Sequence, residues 1–256
     1  MGNKITILLV VTSLFLASVV LLRYASFPDV LSQANSQNPI TGGIIPHHEP
    51  ALFMADDLLA RTKSQEIKHI ILLAPNHLEQ GGFKVISSRL YQTPVNTPML
   101  TSLQTLGYFG LDQDTVAQEY AVSVLIPYLK KYHPEATITP LLFSRSTNLS
   151  EIDQISPLIS DHLGNESLVI ASIDFAHYVS PENANQNDKI TLKLIEARDY
   201  PQIISLDSQH LDSPPALVLL LKLMGSRDLE VLNNSNYSDL TGSFAPTTSY
   251  FEIVFR

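Results

Sequence analysis

The sequence predicts an α/β fold: a central, mostly parallel or mixed sheet flanked by helices, preceded by one N-terminal transmembrane helix. Three observations carry this expectation. Short apolar runs, several ended by proline, alternate with stretches whose apolar residues recur at helical spacing. Several of those runs are apolar throughout rather than alternating, which suits strands buried on both faces. The chain also opens with Ile5–Leu22, a run without a single charge.

Taken in order, Ile5–Leu22 would span about 27 Å as a helix, just enough for a bilayer core. Lys4 precedes it and Arg23 follows it. Tyr24-Ala25-Ser26 is a poor cleavage site and the apolar run is long for a signal peptide. Residues 1–26 therefore read as an uncleaved signal anchor, with a cleaved signal peptide as the alternative. The domain is then expected to be membrane-anchored and extracytoplasmic. Residues 27–41 are polar and read as a linker, leaving 42–256 as the folded domain. Within it, Ile44-Ile45, His69–Ala74, Thr137–Phe143, Leu168–Ile173, Glu230–Leu232 and Tyr250–Phe255 read as strands. Helical spacing covers Ala51–Arg61, Met99–Leu106, Glu119–Lys131, Leu149–Leu163, Asp188–Arg198 and Ala216–Met224. The last of these follows Pro214-Pro215, with Asp212 or Ser213 available as its cap.

Composition narrows the function. The 256 residues include no cysteine, which excludes disulfides, zinc fingers, iron–sulfur ligation and a thiol nucleophile. The formal net charge is −9, the opposite of a nucleic-acid binder's footprint. A small-molecule substrate or a protein partner is expected instead. About 220 residues beyond the anchor suffice for one sizeable core.

Three strand ends carry chemistry. They are Ile44-Ile45-Pro46-His47-His48-Glu49, Ala74-Pro75-Asn76-His77 and Ser172-Ile173-Asp174-Phe175-Ala176-His177-Tyr178. In open α/β sheets, ligands sit beyond the carboxyl ends of the strands. Imidazoles delivered to neighbouring strand ends make a metal or acid–base site. A mononuclear non-haem Fe(II) centre takes two His and one carboxylate on one face. His47 and His77 can supply the imidazoles; Glu49, Glu119, Asp174 and Asp212 are the candidate carboxylates. Asp174 could instead orient a histidine, and Asp212 could instead cap the helix after it. His48 is expected to point away, His69, His133 and His162 to lie at the surface, and Tyr178 to pack. Asn148, Asn165, Asn233 and Asn236 form N-x-Ser sequons.

The ordered series IIPHHEP, LLAPNH, EYAVSVLIPYL, ASIDFAHY and DSPPALVLLL resembles the Memo-like family. That family includes the bacterial AmmeMemoRadiSam system protein B and shares its fold with class III extradiol ring-cleavage dioxygenases. The resemblance runs from about Gly42 to the C-terminus. It implies that His47 and His77 are metal ligands and that Asp174 and His177 stand beside the metal. His177 would act as the acid–base group, held by Asp174, and Glu119 would open a helix near the site. It implies Fe(II) as the ion, with another divalent metal as the alternative. Tyr120 stands where relatives carry His and Val124 where they carry a second acid. The Gly-Ser-Trp-Tyr stretch common in relatives is missing. The relatives' Cys ligand is absent too, and Asp212, within one position of it, would restore a two-His-one-carboxylate set. The resemblance therefore implies a dioxygenase-like metal-dependent oxidoreductase of unknown reaction. The alternative is a binding module of the same fold that associates with a protein partner.

Overall fold

The apolar runs His69–Ala74, Thr137–Phe143 and Leu168–Ser172 form strands buried on both faces. The computed structural model describes residues 38–91, 97–243 and 246–256. Its strands are β1 (Gly42–Ile45), β2 (His69–Pro75), β3 (Val85–Ser87), β4 (Phe109–Leu111), β5 (Thr137–Phe143), β6 (Ser167–Ser172), β7 (Leu229–Asn236) and β8 (Ser249–Phe255). They make one sheet in the order β4-β3-β5-β2-β6-β1-β8-β7. The middle four, β5, β2, β6 and β1, run parallel. At the edges β3 is antiparallel to β5, and β8 and β7 are antiparallel to their inner neighbours. The six expected strands are all present. The three-residue strands β3 and β4 are too short to leave a hydrophobic period in the sequence.

The helices are α1 (Leu52–Thr62), α2 (Thr97–Leu103), α3 (Gln113–Gln118), α4 (Tyr120–Ser123), α5 (Ile126–Tyr132), α6 (Leu149–Ser160), α7 (Pro181–Ala197), α8 (Tyr200–Ile204), α9 (Pro214–Met224) and α10 (Tyr237–Thr241). Alternate residues of each central strand face opposite layers, as the pleat demands. Ile71, Leu73, Val169 and Ala171 pack with α6 and α9. Ile70, Leu72, Leu168 and Ile170 pack with α1 and α5. The glycines of β1 let both layers close on this strand. A Cβ on Gly42 would lie 2.4 Å from Met224 Sδ, and one on Gly43 would lie 2.7 Å from Leu58 Cδ1.

Two local expectations change for backbone reasons. The predicted helix Glu119–Lys131 breaks into α4 and α5, because Pro127 has no N–H for the ladder and sits instead in the first turn of α5. The helix α9 begins at Pro214, earlier than expected, and neither candidate side chain caps it. Its two opening prolines lack the N–H groups that a cap would satisfy, so Asp212 is left for other contacts. His133, expected at the surface, is 5% exposed and bonds Thr62 Oγ1 through Nε2 at 2.8 Å.

The expected transmembrane element is corrected. Among the described residues, no helix is long and apolar enough to cross a membrane. The most apolar, α9, has 11 residues, which rise only about 16 Å against a hydrocarbon core of about 30 Å. Its hydrophobicity serves burial between neighbouring elements. The segment Ile5–Leu22, on which the anchor and extracytoplasmic location were expected, lies outside the described residues. Among the described residues the structure thus supplies the α/β sheet with flanking helices, none of which is long and apolar enough to cross a membrane.

Glu252 of β8 is a buried carboxyl, 2% exposed, with Oε1 lacking any hydrogen-bond partner. Burial, reinforced by the neighbouring Asp57 carboxylate, pushes its pKa up to about 8. In the unfolded chain it ionises near 4.5, so between these values the folded state holds the extra proton. The associated stability is present below about pH 4.5 and is lost as pH rises through about 8. Urea unfolding at pH 5, 7 and 9 is expected to show wild-type stability falling relative to Glu252→Gln. Parallel pH profiles for the two proteins would refute this.

Candidate metal centre

The parallel register sets the site. Ile45 of β1 lies opposite Ser172 of β6, and Leu73 of β2 opposite Ala171 of β6. The three strands therefore end together, and the loops after them release His47, His77 and Asp174 at one edge of the sheet. Asp212 arrives from the loop before α9, where its backbone N–H donates to the Asp174 carbonyl (3.1 Å). Its Oδ2 accepts from Asp174 N–H at 3.1 Å.

Each imidazole is oriented from behind. The Ser172 hydroxyl donates to the Ala121 carbonyl at 2.7 Å, so its oxygen is left to accept from His47 Nδ1–H at 3.0 Å. That fixes the tautomer and leaves a lone pair on His47 Nε2. Glu119 accepts from His77 Nδ1 at 2.7 Å and from the His77 backbone N–H at 2.9 Å. His77 Nε2 is likewise turned away from its support. Both Nε2 atoms face Asp212 Oδ2, at 3.4 Å from His47 and 3.9 Å from His77. One ligand atom from each of His47, His77 and Asp212 falls within 4.8 Å of the others, a group that can hold a metal ion.

Electrostatics follow from burial and charge. Burial drives the His47 pKa down to about 3, with the His77 charge adding to the effect. For His77, burial alone would lower the pKa. The Glu119 hydrogen bond and the Asp212, Glu119 and Asp174 charges overcome it and raise the value. Glu119 is held below the usual carboxylate range because its hydrogen bonds with His77 and Ala121 outweigh its burial. Asp212 is pushed up by burial and by the Asp174 charge.

Asp174 is 3% exposed and accepts the His47 backbone N–H at 3.1 Å. Asp174, expected to hold His177, forms no hydrogen bond with its side chain. The two interact by charge alone, and His177 Nδ1 is buried without a partner. Burial lowers the His177 pKa. Of the four candidate carboxylates, Glu49 is exposed in a 3-10 turn and Glu119 supports His77. Asp174 Oδ2 approaches His47 Nε2 at 3.6 Å, and Asp212 is the carboxylate paired with both imidazoles.

A cavity of about 510 Å³ opens over this cluster, and His47, His77, Asp174 and His177 line it. Tyr178, expected to pack, is instead 84% exposed at the cavity. His48 turns aside as expected, bonding Tyr250 Oη through Nδ1 at 2.6 Å, yet still reaches the cavity wall. Sequence reading passed over Ser172 and Arg145. Arg145 donates to the Asp212 carbonyl at 3.0 Å, and its backbone N–H donates to Glu79 at 2.7 Å, tying two site loops together. Ser172 lies within the quoted ASIDFAHY motif, whereas nothing local marks Arg145.

The sequence model described as Memo-like protein matches residues 27–254. A MEMO1 family protein from Methanopyrus kandleri is 23% identical over 256 residues, covering 91% of this chain and 90% of its own. Another from Methanosarcina acetivorans is 26% identical over 199 residues, covering 72% of this chain and 74% of its own. The crystal structure of an uncharacterized protein from Escherichia coli K12 shares the fold with a TM-score of 0.56 at 10% identity. It covers 84% of this chain and 99% of that one.

In the metal-free protein, His47 is expected to remain neutral with its proton on Nδ1 from pH 8 down to pH 5, whereas His77 titrates above the usual histidine value. Imidazole ¹⁵N NMR checks this. Protonation of His47 near pH 6.5 would contradict the arrangement.

Proposed function

The chain belongs to the Memo-like family, and on that premise we propose that His47, His77 and Asp212 bind one divalent metal ion, Fe(II) in the working protein. The observation that carries the reading is the set of three acceptor atoms turned toward one another. With both imidazoles neutral and Asp212 ionised, the state that metal ligation requires, two nitrogen lone pairs and a carboxylate oxygen face one another. Asp212 Oδ1 is also buried without a hydrogen-bond partner. Such a cluster calls for a cation. Ligands bound at 2.0–2.2 Å lie about 3.0–3.5 Å apart, close to the 3.4 and 3.9 Å separations here. The donor set, two imidazoles and one carboxylate, suits Fe(II) with positions left open toward the cavity.

A divalent ion held there supplies Lewis acidity and, as Fe(II), redox reactivity toward O₂. The chain's own groups do the rest in this reading, that of a metal-dependent oxidoreductase of dioxygenase type. Ser172 and Glu119 hold the two imidazoles in their ligating tautomers. His177 is neutral near pH 7 because burial lowers its pKa, so its imidazole can accept a proton from a substrate in the cavity that it lines. Asp174 stabilises the resulting positive charge through space.

A second reading, a binding module that associates with a protein partner, draws on one observation. No carboxylate hydrogen-bonds His177 to orient it for proton transfer; Asp174 acts on it through space. In that reading metal binding persists without turnover.

Elemental analysis after anaerobic Fe(II) loading tests the site. Wild type is expected to retain about one equivalent and His47→Ala almost none. Equal, negligible metal in both would overturn the proposal. Glu119→Gln is expected to weaken metal affinity about 10- to 100-fold, by loss of the support behind His77, in a chelator-competition titration.

A further inference from the structure

The walls above the cluster repeat one arrangement three times. Leu78 directly follows His77, Tyr120 directly follows Glu119, and Tyr178 directly follows His177. In each pair the polar side chain belongs to the cluster, and the next residue places a large apolar group at the cavity. Leu78 is 60% exposed, Tyr120 46% and Tyr178 84%, and all three line the cavity. They come from segments far apart in the chain, Leu78 and Tyr178 from loops and Tyr120 from the start of α4. Scattered exposed apolar residues are ordinary, but three converging on one concave site mark a binding surface.

Tyr178 adds a second signal. Its φ is +57°, a left-handed conformation that strains a non-glycine residue and that Gly or Asn would adopt more easily. The backbone is held there by the Thr247 N–H donating to the Val179 carbonyl at 2.8 Å and the His177 N–H to the Ser208 carbonyl at 3.0 Å. The conformation puts the Tyr178 ring beside His177, with centroids 5.9 Å apart. An exposed aromatic ring kept in a strained backbone makes no packing contribution that explains it.

Charge supplies the third. Glu119 and Asp174 line the cavity, and among the described lining residues there is no Lys or Arg. The nearby Arg145 guanidinium is committed to the Asp212 and Leu206 carbonyls. A carboxylate or phosphate placed away from the metal would find no Lys or Arg in the cavity wall and would lie among the acidic side chains of Glu119 and Asp174. A cationic or neutral group meets acidic side chains and tyrosine faces, which favour it.

Resting on the metal-site reading, we infer that this site takes a small molecule whose metal-distal body is planar and apolar, uncharged or cationic, and discriminates against an anionic group on that body. Tyr120 and Tyr178 are its specificity-determining residues. The cavity of about 510 Å³ is of small-molecule size.

Hydroxamates test this, because one end binds the metal while the body varies. The full-length protein is loaded with Zn(II), its zinc content measured, and titrated calorimetrically. Benzohydroxamate is expected to bind at least tenfold more tightly than acetohydroxamate. The 4-aminomethyl derivative should match or exceed it, and the 4-carboxy derivative should fall at least tenfold below it. Tyr178→Asn, which suits the left-handed backbone, and Tyr120→Ala should each reduce the benzohydroxamate advantage several-fold at unchanged zinc content. Tyr178→Phe should preserve it. Equal affinities for acetohydroxamate and benzohydroxamate, tightest binding of the carboxylate, or tyrosine variants without effect would overturn the inference while leaving the metal site standing. Failure to retain zinc would overturn the metal-site reading, and the inference with it.

Discussion

The parallel pairing of β1, β6 and β2 governs everything at the site. Parallel strands hydrogen-bonded in register end at the same edge, so residues just past those ends become neighbours whatever their separation in sequence. Here that brings His47, His77 and Asp174 together from positions 127 residues apart at the extremes. The register in turn depends on burial. Ile44, Ile71 and Val169 point into one helical layer, and Ile45, Ile70 and Leu168 into the other. A slip by one residue would exchange the two faces of a strand. The glycines Gly42 and Gly43 permit helices α1 and α9 to press on β1 from both sides, which holds the strand carrying His47 at the centre of the sheet.

On that frame the charge pattern builds itself. Burial keeps His47 neutral, and the Glu119 carboxylate props His77 from behind. Asp212 is free to face them because the prolines opening α9 leave few N–H groups to cap. Arg145 and the backbone of Asp174 hold its loop in place. The contacts draw on several strand ends and on the segments just before α4 and α9, so the cluster belongs to one edge of the sheet and not to any single loop.

The fold was largely legible in the sequence, because buried strands and amphipathic helices write their burial into the order of apolar residues. Thr137–Phe143 forms a strand over its predicted span, and His69–Ala74 gains only Pro75. What escaped was short or local in cause: the three-residue β3 and β4, the break at Pro127, and the helices α3, α8 and α10, of five or six residues. The anchor expectation failed to find a counterpart among the described residues, where apolar helices are short and serve the core.

For the site, the sequence by itself determined that histidines follow strand ends at His47, His77 and His177. The absence of cysteine meant that no thiolate could serve as a metal ligand there. These are local or compositional facts, and a single chain segment suffices to state them. Only the tertiary structure decided which carboxylate faces the imidazoles, that Ser172 and Glu119 support them, and that Tyr178 stands exposed beside His177. Those outcomes depend on where loops separated by tens of residues meet, and on how the backbone turns within them. Neither is written in any one stretch of sequence.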